Sequence, residues 1–393
     1  MRHHLQDTWS QYALDHHCMN SDMNLSNLTS ILTGPKSDLA GVAFTPQVAD
    51  LGCSECSLLH RLKFLDFIEE LVGVDIDEDV LKLKGYILTP LPIHYLEPLE
   101  RALTVTLYQG SVSEKDPALL GFDLITCIEL IEHLEADILE KFQNVLFGFM
   151  APRAVVISTP NVEFNVLLSE KTGFRHPDHK FEWDRKEFQN WAMNISRQYN
   201  YTAEFSGVGE AESEDKDVGY CSQIAIFRKN YTESVESMNI KKNYRSVYKR
   251  ILHVVYPSIQ EEKYLRKVVL NIALSHANRM KSNFLHNLFP EDDEEEATSS
   301  ADNKKEPLSL WLSSLQTSAE MKENIVKPLF LEGDAIHVPL ENLLAVPKLK
   351  ELCGSLDVLQ NMMTREIHLS SDGSAIVYPL HVEDELDSDL NDT

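Results

Sequence analysis

Short apolar runs that alternate with amphipathic stretches between residues 47 and about 230 constrain the fold more than any other sequence feature. Five runs have the length and composition of buried strands: 48–51, 71–74, 104–108, 122–127 and 154–158. Stretches 137–150 and 185–199 predict helices, and the later runs 201–205 and 223–227 predict a hairpin-like pair that closes a sheet. This alternation predicts an α/β fold, a mostly parallel sheet with helices on both faces.

Composition narrows the class of protein. The formal net charge of −26 argues against a protein that coats nucleic acid by bulk attraction, although it leaves room for a local basic groove. The six cysteines form no dense framework, which favours a reducing compartment. No run approaches the ~18–20 apolar residues that a membrane helix needs. We therefore expect a cytoplasmic protein with no membrane partner.

The remaining segments differ from this pattern. Between residues 241 and 281 there are ten Lys or Arg against two acidic residues, with tyrosines interleaved. This balance is typical either of a surface that guides an RNA backbone or of a solvated helical face. The predicted organisation is a poorly ordered leader (1–46), a catalytic domain (47–230), a basic helical extension (231–290), an acidic linker (291–306), a small appendage (307–381) and an acidic tail (382–393).

Polar residues follow three of the predicted strands. Gly52 begins a tight turn after the first strand, which carries Asp50, while Asp75 ends the second and Ser111 follows the third. An acid at the end of the second strand is placed to accept hydrogen bonds from ribose hydroxyls. The order predicts a nucleoside-binding edge, and the incomplete glycine motif disfavours a dinucleotide. The alternative is that these are ordinary turn residues of a doubly wound sheet.

The stretch after the fourth predicted strand carries candidate metal ligands. Glu129, Glu132 and His133 have i, i+3 and i+4 spacing, which places them on one face if the chain turns helical there. His179, in a later polar loop, would complete a set of two carboxylates and two imidazoles. Such a set suits Mn²⁺ or Co²⁺ better than Mg²⁺. The alternative is a chance cluster and a solvated loop histidine, and His176 is assigned no role.

Several segments together resemble one family closely. They read Val-Ala-Asp-Leu-Gly-Cys (48–53), Val-Gly-Val-Asp-Ile (72–76), Phe-Asp-Leu-Ile-Thr-Cys-Ile-Glu-Leu-Ile-Glu-His-Leu (122–134), Ser-Thr-Pro-Asn-x-Glu-Phe-Asn (158–165) and Asp-His-Lys-Phe-Glu-Trp (178–183). The chain resembles the animal small-RNA 3′-terminal 2′-O-methyltransferases, which act on Piwi-interacting RNAs. One departure is Ser54, because the first loop of that family usually reads Gly-Cys-Gly.

The resemblance implies a Rossmann-like class I S-adenosylmethionine (SAM)-dependent methyltransferase sheet, with a helical or irregular C-terminal extension. It implies SAM and one divalent cation, Mg²⁺ or Mn²⁺/Co²⁺, as cofactors. Its metal ligands, and through the metal its catalytic residues, fall on Glu129, Glu132, His133 and His179. Its cofactor contacts fall on Asp50, Gly52, Asp75 and Ser111.

The resemblance also implies a partner and a place in the cell. The substrate would be the 3′ end of a single-stranded small RNA, presented by a Piwi-type protein to a monomeric enzyme in the cytoplasm or in germ-cell RNA granules. Two alternatives stay open at this point. One is a metal-dependent O-methyltransferase of small molecules, and the other is a catalytically impaired RNA-binding or scaffold relative.

Overall fold

The computed structural model describes residues 46–168, 173–210, 218–230, 244–288 and 326–380. The chain divides into two units, Met1–Gln260 and Glu261–Thr393, and each is described by itself. The predicted leader up to residue 45, the acidic linker, the acidic tail and residues 307–325 of the appendage lie outside the described residues.

The first unit is built on an eight-stranded sheet. Its strands are β1 (Gln47–Leu51), β2 (Glu70–Asp75), β3 (Thr104–Gln109), β4 (Leu124–Cys127), β5 (Ala154–Pro160), β6 (Tyr201–Glu210), β7 (Tyr220–Lys229) and β8 (Lys249–Val255). They lie in the order β6-β7-β5-β4-β1-β2-β3-β8, with β1 to β5 parallel. The five predicted strands and the hairpin-like pair are confirmed, and β7 lies antiparallel between β5 and β6.

Among the described residues of this unit, five α-helices accompany the sheet: α1 (Ser57–Leu62), α2 (Glu78–Lys84), α3 (Pro92–Leu96), α4 (Ala136–Gln143) and α5 (Arg185–Tyr199). Both predicted helices are present, since α4 continues as a π-helical turn to Met150. Helix α5 begins at a capping box in which the Asp184 side chain accepts from the Glu187 amide, and it ends at left-handed Asn200. The local sequence thus fixes both ends of α5.

Strand side chains alternate between two apolar clusters, one on each face of the sheet. Ala49 and Leu51 of β1 enter the cluster that contains Phe142 of α4, whereas Val48 enters the cluster that contains Leu59 of α1. Residues two apart in a strand point to the same face, so each strand supplies both layers. The result is a Rossmann-like sheet covered by helices on both faces.

The predicted helical extension over 231–290 is wrong for residues 249–255. These residues form β8, which pairs antiparallel with β3 and brings the first unit to Gln260. Half-buried and exposed side chains alternate from Leu252 to Val255, which is the period of a strand at a sheet edge, and a register shift opposite Leu107/Tyr108 interrupts this pattern earlier in the strand. Lys249, counted among the basic residues, forms an ion pair with Glu78 at 2.6 Å.

The second unit contains the long helix α6 (Glu262–Leu288), which confirms the helical expectation for that part. It also holds α7 (Leu340–Leu344), α8 (Pro347–Cys353), α9 (Leu356–Met363) and an antiparallel sheet of β9 (Phe330–Glu332), β10 (Ala335–Pro339) and β11 (Ala375–Pro379). Val269, Ala273 and Ala277 of α6 enter a separate apolar cluster of this unit. Within the described residues, no helix is long and apolar enough to cross a membrane.

We expect the Phe142→Ala substitution to lower the free energy of unfolding by about 3–5 kcal/mol, because it opens a cavity in a close-packed layer. Phe142 is fully buried, whereas Phe64 is 66% exposed. The matched Phe64→Ala change should alter stability by no more than about 0.5 kcal/mol. Denaturant unfolding of both variants measures the difference. Equal losses would contradict the assignment of Phe142 to the core.

Candidate active site

The carboxyl ends of β1, β2 and β3 meet at one edge of the sheet and bring the predicted cofactor residues together. Gly52 has a φ of 77°, and its amide donates to the Val74 carbonyl at 2.8 Å. The Asp75 carboxylate accepts from the Ser54 amide at 2.8 Å and from the Asp77 amide at 2.9 Å. Backbone donors thus fix the carboxylate at the strand end, where it is able to accept from a ribose.

Asp50 lies in β1, two residues before Gly52, and is only 4% exposed. Burial raises its pKa to about 7; the hydrogen bond from Thr126 Oγ1, at 2.7 Å, opposes this shift, and the charge of Asp75 adds to it. The carboxyl therefore links β1 to β4 beneath the glycine turn. Its predicted contact with a cofactor stays a prediction.

The local conformation after β4 differs from the predicted helical face. Glu129 has a φ of 48°, in the left-handed region, and Glu132 and His133 belong to a single 3₁₀ turn. The i, i+3, i+4 argument was therefore wrong about the helix, because one residue in the left-handed region breaks helical periodicity. Ser158 of β5 holds the Glu129 side chain, since its hydroxyl donates to Oε1 at 2.8 Å.

Glu132 is fully buried, and its carboxylate is only half satisfied. Thr159 Oγ1 donates to Oε2 at 3.0 Å, whereas Oε1 has no hydrogen-bond partner among the described residues. Burial raises the pKa of Glu132 well above its usual value, and the charge of Glu129 adds to this shift. A buried carboxylate with an unpaired oxygen is costly, so this atom is suited to a cation from outside the chain.

Three imidazoles lie close together, one from the turn that holds Glu132 and two from the loop that contains His176 and His179. The rings of His133 and His179 have centroids 4.9 Å apart, and His176 lies within 5.7 Å of both. One ring nitrogen from each lies within 4.8 Å of the others, close enough to share a metal ion. Burial lowers the pKa of His133 to about 4, with the charges of His179 and His176 adding to this shift, so His133 is neutral at pH 7 and keeps a lone pair for a metal.

The structure therefore brings His133 and His179 together and adds His176, to which the sequence assigned no role. Glu129 and Glu132 are not members of the three-histidine group found among the described residues. Glu132 is nonetheless tied to the histidine loop, because its carbonyl accepts from the Lys180 amide at 2.7 Å. Their role as ligands stays a prediction.

The Glu182 carboxylate orients the His179 ring through its contact with Nδ1. His179 Nδ1 and Glu182 Oε1 are 2.6 Å apart, and both side chains are almost wholly buried. Burial of Glu182 favours its neutral form, but hydrogen bonds from His179, from Asn165 and from the Arg175 amide outweigh this and lower its pKa. An ionised Glu182 keeps the proton of His179 on Nδ1 and leaves Nε2 as the electron-pair donor.

Arg175 fastens the histidine loop to the sheet. Its buried guanidinium donates to the Asn161 carbonyl, the Cys221 carbonyl and the Asn165 side chain. Arg175 and Glu182 lie in or beside the quoted motifs, yet the sequence argument used only His179. Their roles were missed because a hydrogen bond from the Arg175 amide to the Glu182 carboxylate, seven residues away in a loop, has no sequence periodicity.

We expect Ser54→Gly to raise the free energy of unfolding by about 0.5–1 kcal/mol, because glycine removes the strain of a left-handed residue. Ser54 has a φ of 41°. Ser57, three residues later, is helical, so Ser57→Gly should lower stability by a similar amount. Thermal unfolding of the two variants tests the sign. A loss at both positions would show that strain at Ser54 has no cost.

Comparison with known proteins identifies relatives whose sequences match most of the chain. The chain is 56% identical to a small RNA 2′-O-methyltransferase of Xenopus tropicalis over 338 residues, which cover 86% of this chain and 92% of the relative. It is 47% identical to the Gallus gallus small RNA 2′-O-methyltransferase, with 84% and 88% covered. A crystal structure of small RNA methyltransferase HEN1 is 32% identical, with 60% of this chain and 28% of that chain covered and a TM-score of 0.47.

A family model described as HENMT1 C-terminal domain matches residues 263–380. This match falls within the second unit, Glu261–Thr393, whereas the candidate site belongs to the first. Since the relatives cover most of both units, the similarity extends over the sheet and the C-terminal region alike. The chain belongs to the small RNA 2′-O-methyltransferase family and is an enzyme.

Proposed function

We propose that this chain transfers a methyl group from SAM to the 2′-hydroxyl of the 3′-terminal nucleotide of single-stranded small RNAs, with the help of a divalent cation. One observation carries the proposal. Glu132, whose buried carboxylate has one oxygen without a partner among the described residues, shares a 3₁₀ turn with His133 of the histidine group, and this turn follows β4 at the same sheet edge as Asp75. A nucleoside site and a cation site on adjacent strand ends suit methyl transfer to a hydroxyl.

The first part of the site would hold SAM. Asp75 would accept from the ribose hydroxyls of the cofactor, beside the turn at Gly52, where a positive φ and close contact with Leu130 both favour glycine. Ser111, which follows β3, would face the adenine. Asp50 is buried, so it would support the turn through its hydrogen bond with Thr126.

The second part would hold one divalent cation, Mg²⁺ or Mn²⁺/Co²⁺, on Glu129, Glu132, His133 and His179. The residues fit such an ion, because they offer a buried oxygen without a partner among the described residues and two imidazoles, of which His133 has a lowered pKa and His179 contacts Glu182 through Nδ1. When bound, the cation supplies positive charge that lowers the pKa of a ribose hydroxyl and holds it in place. Nitrogen donors favour Mn²⁺ or Co²⁺ over Mg²⁺.

The chain's own residues supply the remaining chemistry. The one lone pair of neutral His133 would be used by the cation, so the hydroxyl proton would go to His176, which lies in the histidine group but outside the proposed ligand set. Glu182 and Arg175 keep His179 in one orientation, so the reacting groups meet without reorganisation. Only a 3′-terminal ribose carries two adjacent free hydroxyls, so a site that recognises the pair selects RNA ends.

Further proposals concern the setting of the reaction. The methyl group would protect the RNA 3′ end, and a Piwi-type protein would present that end to a monomeric enzyme. We place the reaction in the cytoplasm or in germ-cell RNA granules. The supports are the family and the resemblance of the site motifs.

We expect methyl transfer from labelled SAM to a single-stranded RNA of small-RNA length, in Mn²⁺ and not in excess chelator. The same RNA with a 2′-deoxy 3′-terminal nucleotide is the control and should accept no label, because it lacks the nucleophile. Transfer to the deoxy control would place the methyl group elsewhere. Transfer in chelator would remove the cation from the proposal.

Glu132→Gln should weaken Mn²⁺ binding by more than about tenfold, because removing a residue that only hydrogen-bonds to a metal ligand already costs about that much metal affinity. The variant should also stabilise the metal-free protein, because a neutral amide is cheaper to bury than a carboxylate. Because folding raises the pKa of Glu132, the wild type loses stability as pH rises above 4.5, the usual pKa of glutamate. The difference in stability between the variant and the wild type should therefore grow with pH.

Calorimetric Mn²⁺ titration and metal-free thermal unfolding at several pH values measure the two effects. The exposed Glu140→Gln on α4 has the same charge change and should alter neither. Unchanged Mn²⁺ affinity in Glu132→Gln would exclude Glu132 as a ligand.

A further inference from the structure

Asp116, in the turn after β3, anchors the chain immediately before β8. It is fully buried, and its Oδ2 accepts from the Val247 amide at 2.7 Å, the Tyr248 amide at 2.8 Å and the Ser246 hydroxyl at 2.9 Å. Three donors on one buried carboxylate oxygen fix the backbone of residues 246–248 relative to the turn that follows β3.

Tyr248 extends from this anchored segment across residues 110–114, called here the β3 turn. Its ring lies directly against Gly110, where no Cβ would fit. Its hydroxyl lies 3.1 Å from the Ser111 carbonyl and 3.4 Å from the Glu114 carbonyl, so it holds both ends of the turn. Burial raises the pKa of Tyr248, which keeps the hydroxyl protonated and able to donate.

The β3 turn is continuous with the cofactor edge. The Gly110 amide donates to the Asp75 carbonyl at 2.9 Å, and Ser111 Oγ lies 2.9 Å from Ser113 Oγ within the turn. A shift of the turn therefore moves Ser111 relative to Asp75. The group that prevents such a shift is an aromatic residue more than 130 positions later in the chain.

We propose that Tyr248 is a positioning residue of the cofactor pocket, which sets the β3 turn, and with it Ser111, beside Asp75. This inference rests on the proposed use of SAM. It assigns residues 246–248 of the basic stretch to the cofactor side of the enzyme instead of an RNA path.

Tyr256 offers a matched control at the opposite end of β8. It is 1% exposed, its hydroxyl donates to the Leu88 carbonyl at 2.8 Å, and burial raises its pKa to about 12. Its amide donates to the Leu103 carbonyl, which precedes β3, so it lies at the amino ends of the parallel strands. Tyr256→Phe therefore removes the same kind of buried hydrogen bond away from the cofactor edge.

The experiment is calorimetric titration of the full chain with S-adenosylhomocysteine, the demethylated product, in the wild type, Tyr248→Phe and Tyr256→Phe. Loss of one hydrogen bond that orders the turn should weaken binding about five- to tenfold in Tyr248→Phe and leave Tyr256→Phe unchanged. Both variants should lower the Tm by a similar 2–4 °C or so, which separates positioning from stability. In turnover, the KM for SAM should rise with kcat nearly unchanged.

Equal affinities in wild type and Tyr248→Phe would overturn the positioning role while leaving the proposed function intact. Equal weakening in both variants would also overturn it, because the effect would then follow stability alone. A wild-type chain that binds no S-adenosylhomocysteine would overturn SAM use and this inference together.

Discussion

Parallel pairing of β1 to β5 is the constraint on which the site depends. Parallel strands end at the same edge, so five separate stretches of sequence deliver their following residues to one place. Asp75 arrives from β2 and Glu129 from the turn after β4, although 54 positions separate them in sequence. The two apolar layers that cover the sheet keep these ends in register, because alternate side chains of every strand are buried on opposite faces.

Two buried carboxylates at this edge have opposite electrostatic surroundings. Hydrogen bonds satisfy Glu182 and lower its pKa, whereas Glu132 has a raised pKa and one oxygen without a partner among the described residues. The difference follows from their partners, since Asn165 and the Arg175 amide donate to Glu182, while the Thr159 hydroxyl donates to one oxygen of Glu132. The second oxygen of Glu132 lowers the stability of the folded protein, and the proposed cation would remove this cost.

The segment after β7 shows how tertiary pairing overrides composition. The sequence predicted a helix over the basic, tyrosine-containing residues 241–281, either as a guide for RNA or as a solvated face, but residues 249–255 instead complete the sheet beside β3. An exposed edge strand has a weaker apolar pattern than a central one, so its periodicity is hard to separate from that of a helix. The Asp116 carboxylate fixes the start of β8, because it accepts hydrogen bonds from the two backbone amides that precede the strand.

The sequence by itself determined the sheet, its two helix-covered faces and the positions at the strand ends, because apolar periodicity and turn residues are local properties. It also identified Asp75, Glu132, His133 and His179 as candidates, through spacing and through resemblance. Only the tertiary structure decided the left-handed conformation of Glu129, the contact of His176 with the histidine group and the support from Glu182 and Tyr248. These features depend on contacts between elements far apart in the chain, and no local pattern encodes the distance between them.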